Sequence, residues 1–142
     1  RIVVQIIERR PYALWQKDGI VQLVDASGAV ISDADAMEFT HLPLFVGEGA
    51  QLQAASLETL LSGFPDIARR VEASVYVSEA RWDLVMAGRS LTVKLPADNP
   101  AAALSKLSAL QSQTQILDRD INIIDLRVGG RITLSPGLSD RA

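Results

Sequence analysis

The sequence predicts an α+β fold, in which a mainly antiparallel β-sheet carries two or three helices packed on it. Two observations predict it. Several short runs alternate apolar and polar residues between turn residues, which is typical of strands. Two longer segments repeat their leucines at helical spacing. The 142 residues, of which 48% are hydrophobic, suffice for one domain with a substantial core.

The first part of the chain predicts a meander rather than a βαβ unit. Four short strands are expected, at residues 2–8, 12–16, 20–25 and 29–31. Pro11 ends the first strand, and Lys17-Asp18-Gly19 joins the next two. Asp25-Ala26-Ser27-Gly28 has Asp first and Gly fourth, which are the preferences of a type I turn.

The middle of the chain predicts the first helix, over residues 50–62. It follows a polar stretch at residues 32–41 and an apolar run at 42–46. Its apolar face is spaced i, i+3, i+4 and i+7, at Leu57, Leu60, Leu61 and Phe64. Pro65 ends the helix, since proline disfavours helical geometry in the residue before it. Residues 66–72 are expected to add a short second helix.

A hairpin and a further helix follow. Residues 82–95 alternate large apolar side chains on both sides of the turn Ala87-Gly88-Arg89, which predicts a hairpin. Asp98-Asn99-Pro100 predicts a helix start, because a capping side chain precedes a proline in the first turn. The helix has a narrow apolar stripe at Leu104, Leu107 and Leu110.

Composition excludes several classes of function. Lys and Arg number 14 against 17 Asp and Glu, and a net charge of −3 argues against a nucleic-acid-binding surface. The absence of Cys excludes thiol catalysis, thiolate metal sites and disulfides. No run approaches the roughly 18 apolar residues of a membrane-spanning helix. Because a strand is predicted almost from Arg1, we expect an excised fragment, in which any anchor or targeting segment upstream would not be visible.

Two constellations resemble ligand sites without matching them. Gly47-Glu48-Gly49 lies between a strand and a helix, as in a dinucleotide-binding turn. Leu52 stands at the third glycine position, Glu48 would repel phosphate, and the surroundings are expected to be antiparallel, so no cofactor is predicted. Four potential metal ligands occur within nine residues, at Asp33, Asp35, Glu38 and His41. Their spacing is not that of an EF-hand, and no metal site is predicted.

Catalysis by paired carboxylates is a further alternative, a small hydrolase. The acidic residues available include Asp25, Glu79, Asp83, Asp118, Asp120 and Asp125. None lies in a recognisable motif, and spacing along a sequence does not show two carboxyl groups close in space. No G-x-S-x-G nucleophile motif is present either. The chain is therefore expected not to be an enzyme.

The last predicted element is a hairpin of residues 121–128 and 131–135 around Gly129-Gly130. Asp125 and Arg127 fall on one face of its first strand and can pair. Its second strand is the last of the chain, so it is expected at the edge of the sheet. An edge strand invites pairing with an extended partner, whereas Arg131 and Pro136 are residue types that protect an edge. The residues leave both interpretations open.

Several segments, in order, resemble the bacterial FtsQ/DivIB family. Residues 3–31 (VVQIIERRPYALWQKDGIVQLVDASGAVI) are similar to its V-x-I-x-E-R-x-P-x-A-x-W strand and its G-x-x-x-L-V-D-x-x-G hairpin. The matching residues are Glu8, Arg9, Pro11, Ala13, Trp15, Gly19, Leu23, Val24, Asp25 and Gly28. LPLFVGEGA (42–50), EARWDLVMAGRSLTVKLP (79–96) and INIIDLRVGGRITL (121–134) resemble the family's later motifs.

The resemblance implies a single-pass inner-membrane protein with periplasmic POTRA and β domains, located at the division septum. Residues 1–10 would be the last POTRA strand, 11–137 the β domain and 138–142 a C-terminal tail. The family is a non-catalytic scaffold without cofactors. Its partners are the proteins FtsB and FtsL, and FtsB adds a strand along the C-terminal edge. A POTRA-containing component of polypeptide export or outer-membrane assembly is the alternative.

The resemblance also implies a set of partner-binding residues. Arg127 corresponds to an arginine at the FtsB interface, and Arg81 lies near another arginine of that surface. The remaining interface residues follow along the terminal edge: Val128, Gly129, Gly130, Arg131, Ile132, Thr133 and Leu134. The family's best-known pattern has bulky aromatic residues here, where this chain has glycines and aliphatic residues.

Overall fold

The computed structural model describes residues 10–32, 35–88, 90–128 and 132–136. Its strands are β1 Ala13–Lys17, β2 Ile20–Val24, β3 Val30–Ile31, β4 Leu44–Val46, β5 Val71–Val77, β6 Arg81–Met86, β7 Thr92–Lys94, β8 Ile121–Asp125 and β9 Thr133–Pro136. Its helices are α1 Ala50–Leu61, α2 Pro65–Ala68 and α3 Pro100–Thr114, with 3₁₀ turns at Ala36–Phe39 and Ile116–Asp118. The expected strand at residues 2–8 and the tail 138–142 lie outside the described residues.

The described strands form one sheet in the order β3-β2-β1-β4-β5-β6-β7-β8-β9. Five of their pairings are antiparallel, which confirms the α+β fold and the mainly antiparallel sheet. The pairs β1–β4, β4–β5 and β7–β8 are parallel. Parallel neighbours need a crossover; α1 and α2 supply it between β4 and β5, and α3 between β7 and β8.

The crossovers correct two expectations. The surroundings of Gly47-Glu48-Gly49 are a βαβ unit and not antiparallel, because the turn leads from β4 through α1 to the parallel strand β5. The second helix ends at Ala68 instead of Glu72, since Val71 already begins β5. This strand mixes small and half-buried residues, so its sequence lacks the strong alternation that marks β6.

Gly47 is required by packing. Its φ is +116°, and a Cβ atom there would lie 2.6 Å from the Tyr76 carbonyl oxygen. The Gly47 carbonyl oxygen also accepts a hydrogen bond from Trp15 Nε1 at 2.8 Å. The glycine therefore allows β4 and β5 to approach closely. Leu52 at the third glycine position and the negative charge of Glu48 still argue against a dinucleotide site in this βαβ unit.

The main core lies between the sheet and helices α1 and α3. Every second residue of β6 is buried, which confirms the predicted hairpin, and α1 and α3 bury Leu57 and Leu104 against that face. The predicted helix start is also confirmed, because Asn99 Oδ1 accepts a hydrogen bond from the Ala102 N–H at 3.3 Å. Gln111 is buried near the end of α3 and accepts the Leu117 N–H at 2.7 Å.

The opposite face is covered over only part of its width. Leu14, Leu23 and Ile31 form a second, smaller core there, against Ala36 and Phe39 of the first 3₁₀ turn. From β5 onwards, the corresponding positions are half-buried, at Ala73, Val85, Thr92, Ile123 and Ser135. We call this second half the open face of the sheet.

Candidate functional site: the C-terminal edge of the sheet

Strand β9 is the last strand of the sheet that the described residues form, as the terminal hairpin predicted, and we call it the C-terminal edge. It pairs antiparallel with β8, with Asp125 opposite Thr133 and Ile124 opposite Leu134. Strand β8 ends at Asp125 and not at residue 128, because Asp125 Oδ1 accepts the Arg127 N–H at 3.0 Å and turns the chain. Such a local side-chain bond competes with strand pairing.

The hydrogen bonds of β8 determine which backbone groups of β9 face outwards. The Leu126 N–H donates to the Lys94 carbonyl, so residue 126 points towards β7. Since strand residues alternate in direction, residues 125 and 123 point towards β9 and pair with Thr133 and Ser135. Leu134, between those two, directs its N–H and C=O away from the sheet.

Pro136 is the last residue of β9, one position beyond the predicted strand. By the same alternation it faces outwards like Leu134, so the ladder with β8 does not need the N–H that proline lacks. Pro136 thus withholds one donor from the outer side of the edge, whereas Leu134 offers both backbone groups. Pro136 thus protects the end of the edge, and no strand among the described residues pairs with the outer side of Leu134.

Exposed aliphatic side chains accompany the open backbone. Val128 is 60% exposed and Leu134 45% exposed, whereas Ile132 packs partly against the main core. Thr133 is exposed as well. The other predicted interface residues, Gly129, Gly130 and Arg131, lie outside the described residues.

Arg127 is paired with Asp125 on the open face, as predicted. Its Nη2 donates to Asp125 Oδ2 at 2.6 Å and its Nε to Oδ1 at 2.9 Å. These hydrogen bonds lower the pKa of the Asp125 carboxyl to about 2. The Arg127 side chain remains 42% exposed, so Asp125 orients the guanidinium while N–H groups that do not bond to Asp125 remain available for a partner.

Arg81 lies on the same open face as Arg127. It begins β6 and forms an ion pair with Asp83. Asp83 stands opposite Lys94, and Lys94 opposite Asp125, so charges of alternating sign run across β6, β7 and β8. Two strand spacings, about 10 Å, separate β6 from β8. The structure therefore joins the two predicted arginines through one row of charged residues.

A groove beside the edge was not foreseen from the sequence. It has a volume of about 390 Å³ and lies between the start of α3 and the end of β8. We call it the α3 groove; its lining residues are Pro96, Ala97, Asp98, Asn99, Ala102, Ala103, Lys106, Leu126, Arg127 and Val128. They come from segments some thirty positions apart. The sequence marked the first segment only as a helix start at Asp98-Asn99-Pro100, and the family resemblance marked Arg127 and Val128 of the second as interface residues.

The other candidate sites do not assemble in the described part of the chain. No group of three His, Cys, Asp or Glu residues suited to a metal is found there, and Asp33 lies outside it. Among the carboxylates considered for hydrolysis, Asp83 pairs with Arg81 and Asp118 with Arg70. Asp25 accepts N–H groups of its own turn. His41 is exposed, with its ring 6.2 Å from that of Phe39.

Fold and edge together define an α+β domain whose described residues form a nine-stranded sheet that ends at β9. The family model of the C-terminal domain of cell division protein FtsQ/DivIB matches residues 13–127. The chain therefore belongs to the FtsQ/DivIB family of bacterial cell division proteins.

Individual relatives agree. The chain is 36% identical over 142 residues to the cell division protein FtsQ of Rhizobium radiobacter, covering 99% of this chain and 67% of the relative. It is 38% identical over 133 residues to FtsQ of Rhizobium meliloti, covering 94% and 43%. FtsQ of Caulobacter vibrioides is 36% identical over 135 residues, with 95% and 44% covered. The chain thus spans less than half the length of the last two.

One solved structure with a similar outline is the major extracytoplasmic domain of the cell division protein DivIB from Geobacillus stearothermophilus. Its TM-score is 0.45 at 16% identity, with 80% of this chain and 99% of that chain covered. Within residues 10–32, 35–88, 90–128 and 132–136, none of the helices has the length and apolar character needed to cross a membrane.

Proposed function

We propose that this chain is the periplasmic β domain of a non-catalytic scaffold of the bacterial division machinery, which recruits FtsB in its complex with FtsL. FtsB adds an extended strand alongside β9 during septum formation. The observation that carries the proposal is the outward-facing N–H and C=O of Leu134 at the edge of the sheet. Addition of a strand to such an edge is an established mode of peptide recognition.

The surroundings of Leu134 favour binding at this edge. An added strand places alternate side chains on the two faces of the sheet. On the helix side they meet the exposed Leu134 and Val128, beside the α3 groove. On the open face they meet Thr133 and the exposed guanidinium of Arg127. The edge thus supplies affinity through its backbone, and the two faces supply selectivity.

The two arginines favour an acidic partner segment. Arg127 keeps accessible N–H groups while Asp125 fixes its orientation. Arg81 lies at the other end of the charged row and is held in the same way by Asp83. Oriented guanidinium groups bind carboxylates in a defined geometry, with little loss of side-chain freedom. Carboxylates of FtsB that project over the open face are the expected counterparts.

Pro136 limits where the partner strand lies. Its ring nitrogen offers no donor on the outer side, so pairing is centred on Leu134 and continues towards Ile132. Each backbone hydrogen bond gained contributes about 0.5–1.5 kcal/mol net. A segment that forms only a few of them needs side-chain contacts at the α3 groove to bind firmly.

The domain organisation is part of the same proposal. Residues 1–10 end a POTRA domain, 11–137 form the β domain and 138–142 are a C-terminal tail. A single membrane-spanning segment outside this chain anchors the protein in the inner membrane, and the assembled division machinery concentrates it at the septum.

A proline substitution at the outward-facing position tests the proposal. Leu134→Pro removes the outward N–H and leaves the hydrogen bonds between β8 and β9 in place. We expect it to weaken binding of a periplasmic FtsB segment at least tenfold in calorimetric titrations. Leu134→Val is the matched control, since it retains the N–H and an aliphatic side chain, and it should bind within about threefold of the parent, as expected where binding rests on the backbone.

The state of the variants must be known for the result to count. Amide exchange of Leu134→Pro should match that of the parent outside residues 132–136. Its melting temperature should be close to that of the parent. A folded Leu134→Pro chain that binds FtsB as tightly as the parent would rule out strand addition at β9.

A further inference from the structure

A pocket lies where the starts of β4 and β5 meet helices α1 and α2. Its volume is about 410 Å³, and its walls are residues 40–44, α1, α2 and the start of β5. We call it the β4–β5 pocket. Strand β5 is separated from β9 by four strand spacings, about 19 Å, so the pocket is distinct from the C-terminal edge. Its volume falls within the range of about 300–1,000 Å³ that is usual for small-molecule sites.

The pocket carries two carboxylates without a counter-ion. Glu58 of α1 and Glu72 of β5 line it, and none of its lining residues is Lys or Arg. In the described part of the chain, neither carboxylate forms an ion pair. Burial raises the pKa of the half-buried Glu58, and burial together with the charge of Glu58 raises the pKa of Tyr12. A cation in the pocket would offset this charge.

Glu72 lies at an irregularity of its strand. Val71 pairs with Met86 and Ala73 with Val85, so Glu72 is the extra residue of a β-bulge. Bulges are frequent beside functional sites, where they re-aim a side chain. The bulge places an exposed carboxylate on the wall of the pocket.

Ser74 supplies a buried hydroxyl without a partner. Ser74 is 3% exposed and stands opposite Leu84 of the main core, so its side chain faces the helices. It lines the pocket, and no residue in the described part of the chain forms a hydrogen bond with its Oγ. Buried hydroxyl groups normally have a hydrogen-bond partner. A ligand with N–H donors can supply that partner, because the hydroxyl oxygen accepts hydrogen bonds.

The rest of the lining is mixed. Leu42, Leu61 and Val71 offer apolar surface, which suits an aliphatic stem. His41 adds an imidazole, which accepts a hydrogen bond when it is neutral. The pocket thus combines acidic groups, an unpaired hydroxyl and an apolar wall.

We propose that the β4–β5 pocket binds an organic cation, a guanidinium or ammonium group on an aliphatic stem. The cation pairs with Glu58 and Glu72 and donates a hydrogen bond to the Ser74 hydroxyl. The stem packs against Leu61 and Val71. This site does not depend on strand addition at β9.

The test compares butylguanidinium with butylurea, a neutral molecule of nearly the same shape. Titrated into the isotope-labelled chain, butylguanidinium should shift the amide signals of residues 40–42 and 71–74. It should bind at least tenfold more tightly than butylurea at low salt, and added salt should reduce the difference. Equal binding of the two molecules, or shifts confined to residues 132–136, would overturn the proposal.

Charge variants locate the contact. Glu58→Gln should weaken binding of butylguanidinium at least tenfold, and Glu72→Gln at least threefold. Glu79→Gln is the matched control, since it removes the same charge from an exposed residue in the turn between β5 and β6. It should bind within about twofold of the parent. A loss as large as that of Glu58→Gln would indicate a general attraction to an acidic surface and would overturn the proposal.

Ser74→Ala separates a role in binding from a role in the fold. It should weaken binding of butylguanidinium at least threefold. Its melting temperature should equal or exceed that of the parent, because the hydroxyl has no hydrogen bond to lose. Unchanged affinity in this variant would remove the hydroxyl from the site and contradict the proposal.

A second pair of molecules distinguishes two sources of the cation. Acetyl-arginine-N-methylamide presents the guanidinium as a polypeptide does, and acetyl-citrulline-N-methylamide is its neutral counterpart. Selective binding of the arginine compound would identify an arginine side chain of another polypeptide as the ligand. Binding of butylguanidinium without binding of the arginine compound would identify a free small cation. Each result supports the shared chemistry.

Discussion

The two edges of the described sheet lie in different settings. At the C-terminal edge, Leu134 faces outwards between two residues bonded to β8, beside an oriented arginine. At the other end of the described sheet, which we call the N-terminal edge (Ile20–Gln22 with β3), strand β2 extends beyond a two-residue strand, and the described residues 18–32 and 35–38 include four acidic residues. Unpaired strand edges are a risk of aggregation that proteins manage by short strands, proline and charge. A short strand and charge are present at the N-terminal edge, and a proline at the C-terminal edge.

The difference lies in what surrounds each edge. The C-terminal edge borders the open face, where Asp83, Lys94 and Asp125 alternate in charge across three strands. The N-terminal edge borders a half of the sheet that is covered on both faces, by α1 and by the 3₁₀ turn Ala36–Phe39. In the strand addition proposed at the C-terminal edge, selectivity therefore depends on charges arranged over a surface.

The largest effect is expected from the direction of the backbone N–H groups in β9, which either bond to β8 or face outwards. Thr133→Pro removes an N–H that bonds to β8, whereas Leu134→Pro removes one that faces outwards. We expect Thr133→Pro to lower the free energy of unfolding by about 1–3 kcal/mol more than Leu134→Pro. Urea unfolding measures the pair, and equal losses for the two variants would contradict the assignment.

The turn that sets the register of the N-terminal edge gives an intermediate effect. Asp18 and Gly19 have φ of 54° and 78°, the left-handed values of a two-residue type I′ turn. Gly19→Ala should cost about 1–2 kcal/mol, because an L-residue with a Cβ disfavours this region. The added Cβ itself meets nothing within 4 Å, so the loss of unfolding free energy reports the cost of the backbone conformation alone.

Gly63 provides the control for that measurement. Its φ lies outside the left-handed region, and an added Cβ would have an ordinary contact of 3.6 Å with the Leu60 carbonyl oxygen. Gly63→Ala should be neutral or slightly stabilising in the same unfolding experiment. A loss as large as that of Gly19→Ala would show that the turn conformation is not the cause.

The ion pair at the C-terminal edge gives the smallest effect. The pKa of Asp125 is lowered to about 2, so the folded state prefers the ionised carboxylate more than the unfolded chain does. Its contribution to stability is present above about pH 4 and is lost as the pH falls through 2. Asp125→Asn should therefore remove part of the decline in melting temperature between pH 4 and pH 2. If the decline is unchanged, the pair contributes nothing measurable.

The sequence predicted those elements whose burial alternates strongly. In β6, Trp82, Leu84 and Met86 are all buried on one face, and the hairpin with β7 was recognised from that pattern. Strand β5 was missed because Ser74 is its one buried residue and the run preceding it continues a helical pattern. The parallel pairings were missed as well, since they depend on which strands become neighbours after the helices cross the sheet.

The candidate site was predictable in position and not in detail. The terminal strand and the Asp125–Arg127 pair follow from order along the chain and from alternation. Which backbone groups face outwards depends on the register between strands, and the α3 groove depends on how the start of α3 meets the end of β8. Neither is a local property of the sequence.

The outward backbone of Leu134 has an evolutionary consequence. A contact made through the main chain survives most replacements of the side chain that carries it. If a partner strand pairs with β9 as proposed, substitutions along β9 can accumulate in a lineage without loss of binding, provided that proline is not introduced at position 134. Compensating changes in the partner are expected instead where the partner contacts side chains of this chain, such as Val128 and Lys106 in the α3 groove. A surface of this kind tolerates sequence change along its strand and restricts sequence change at the side chains that border the strand.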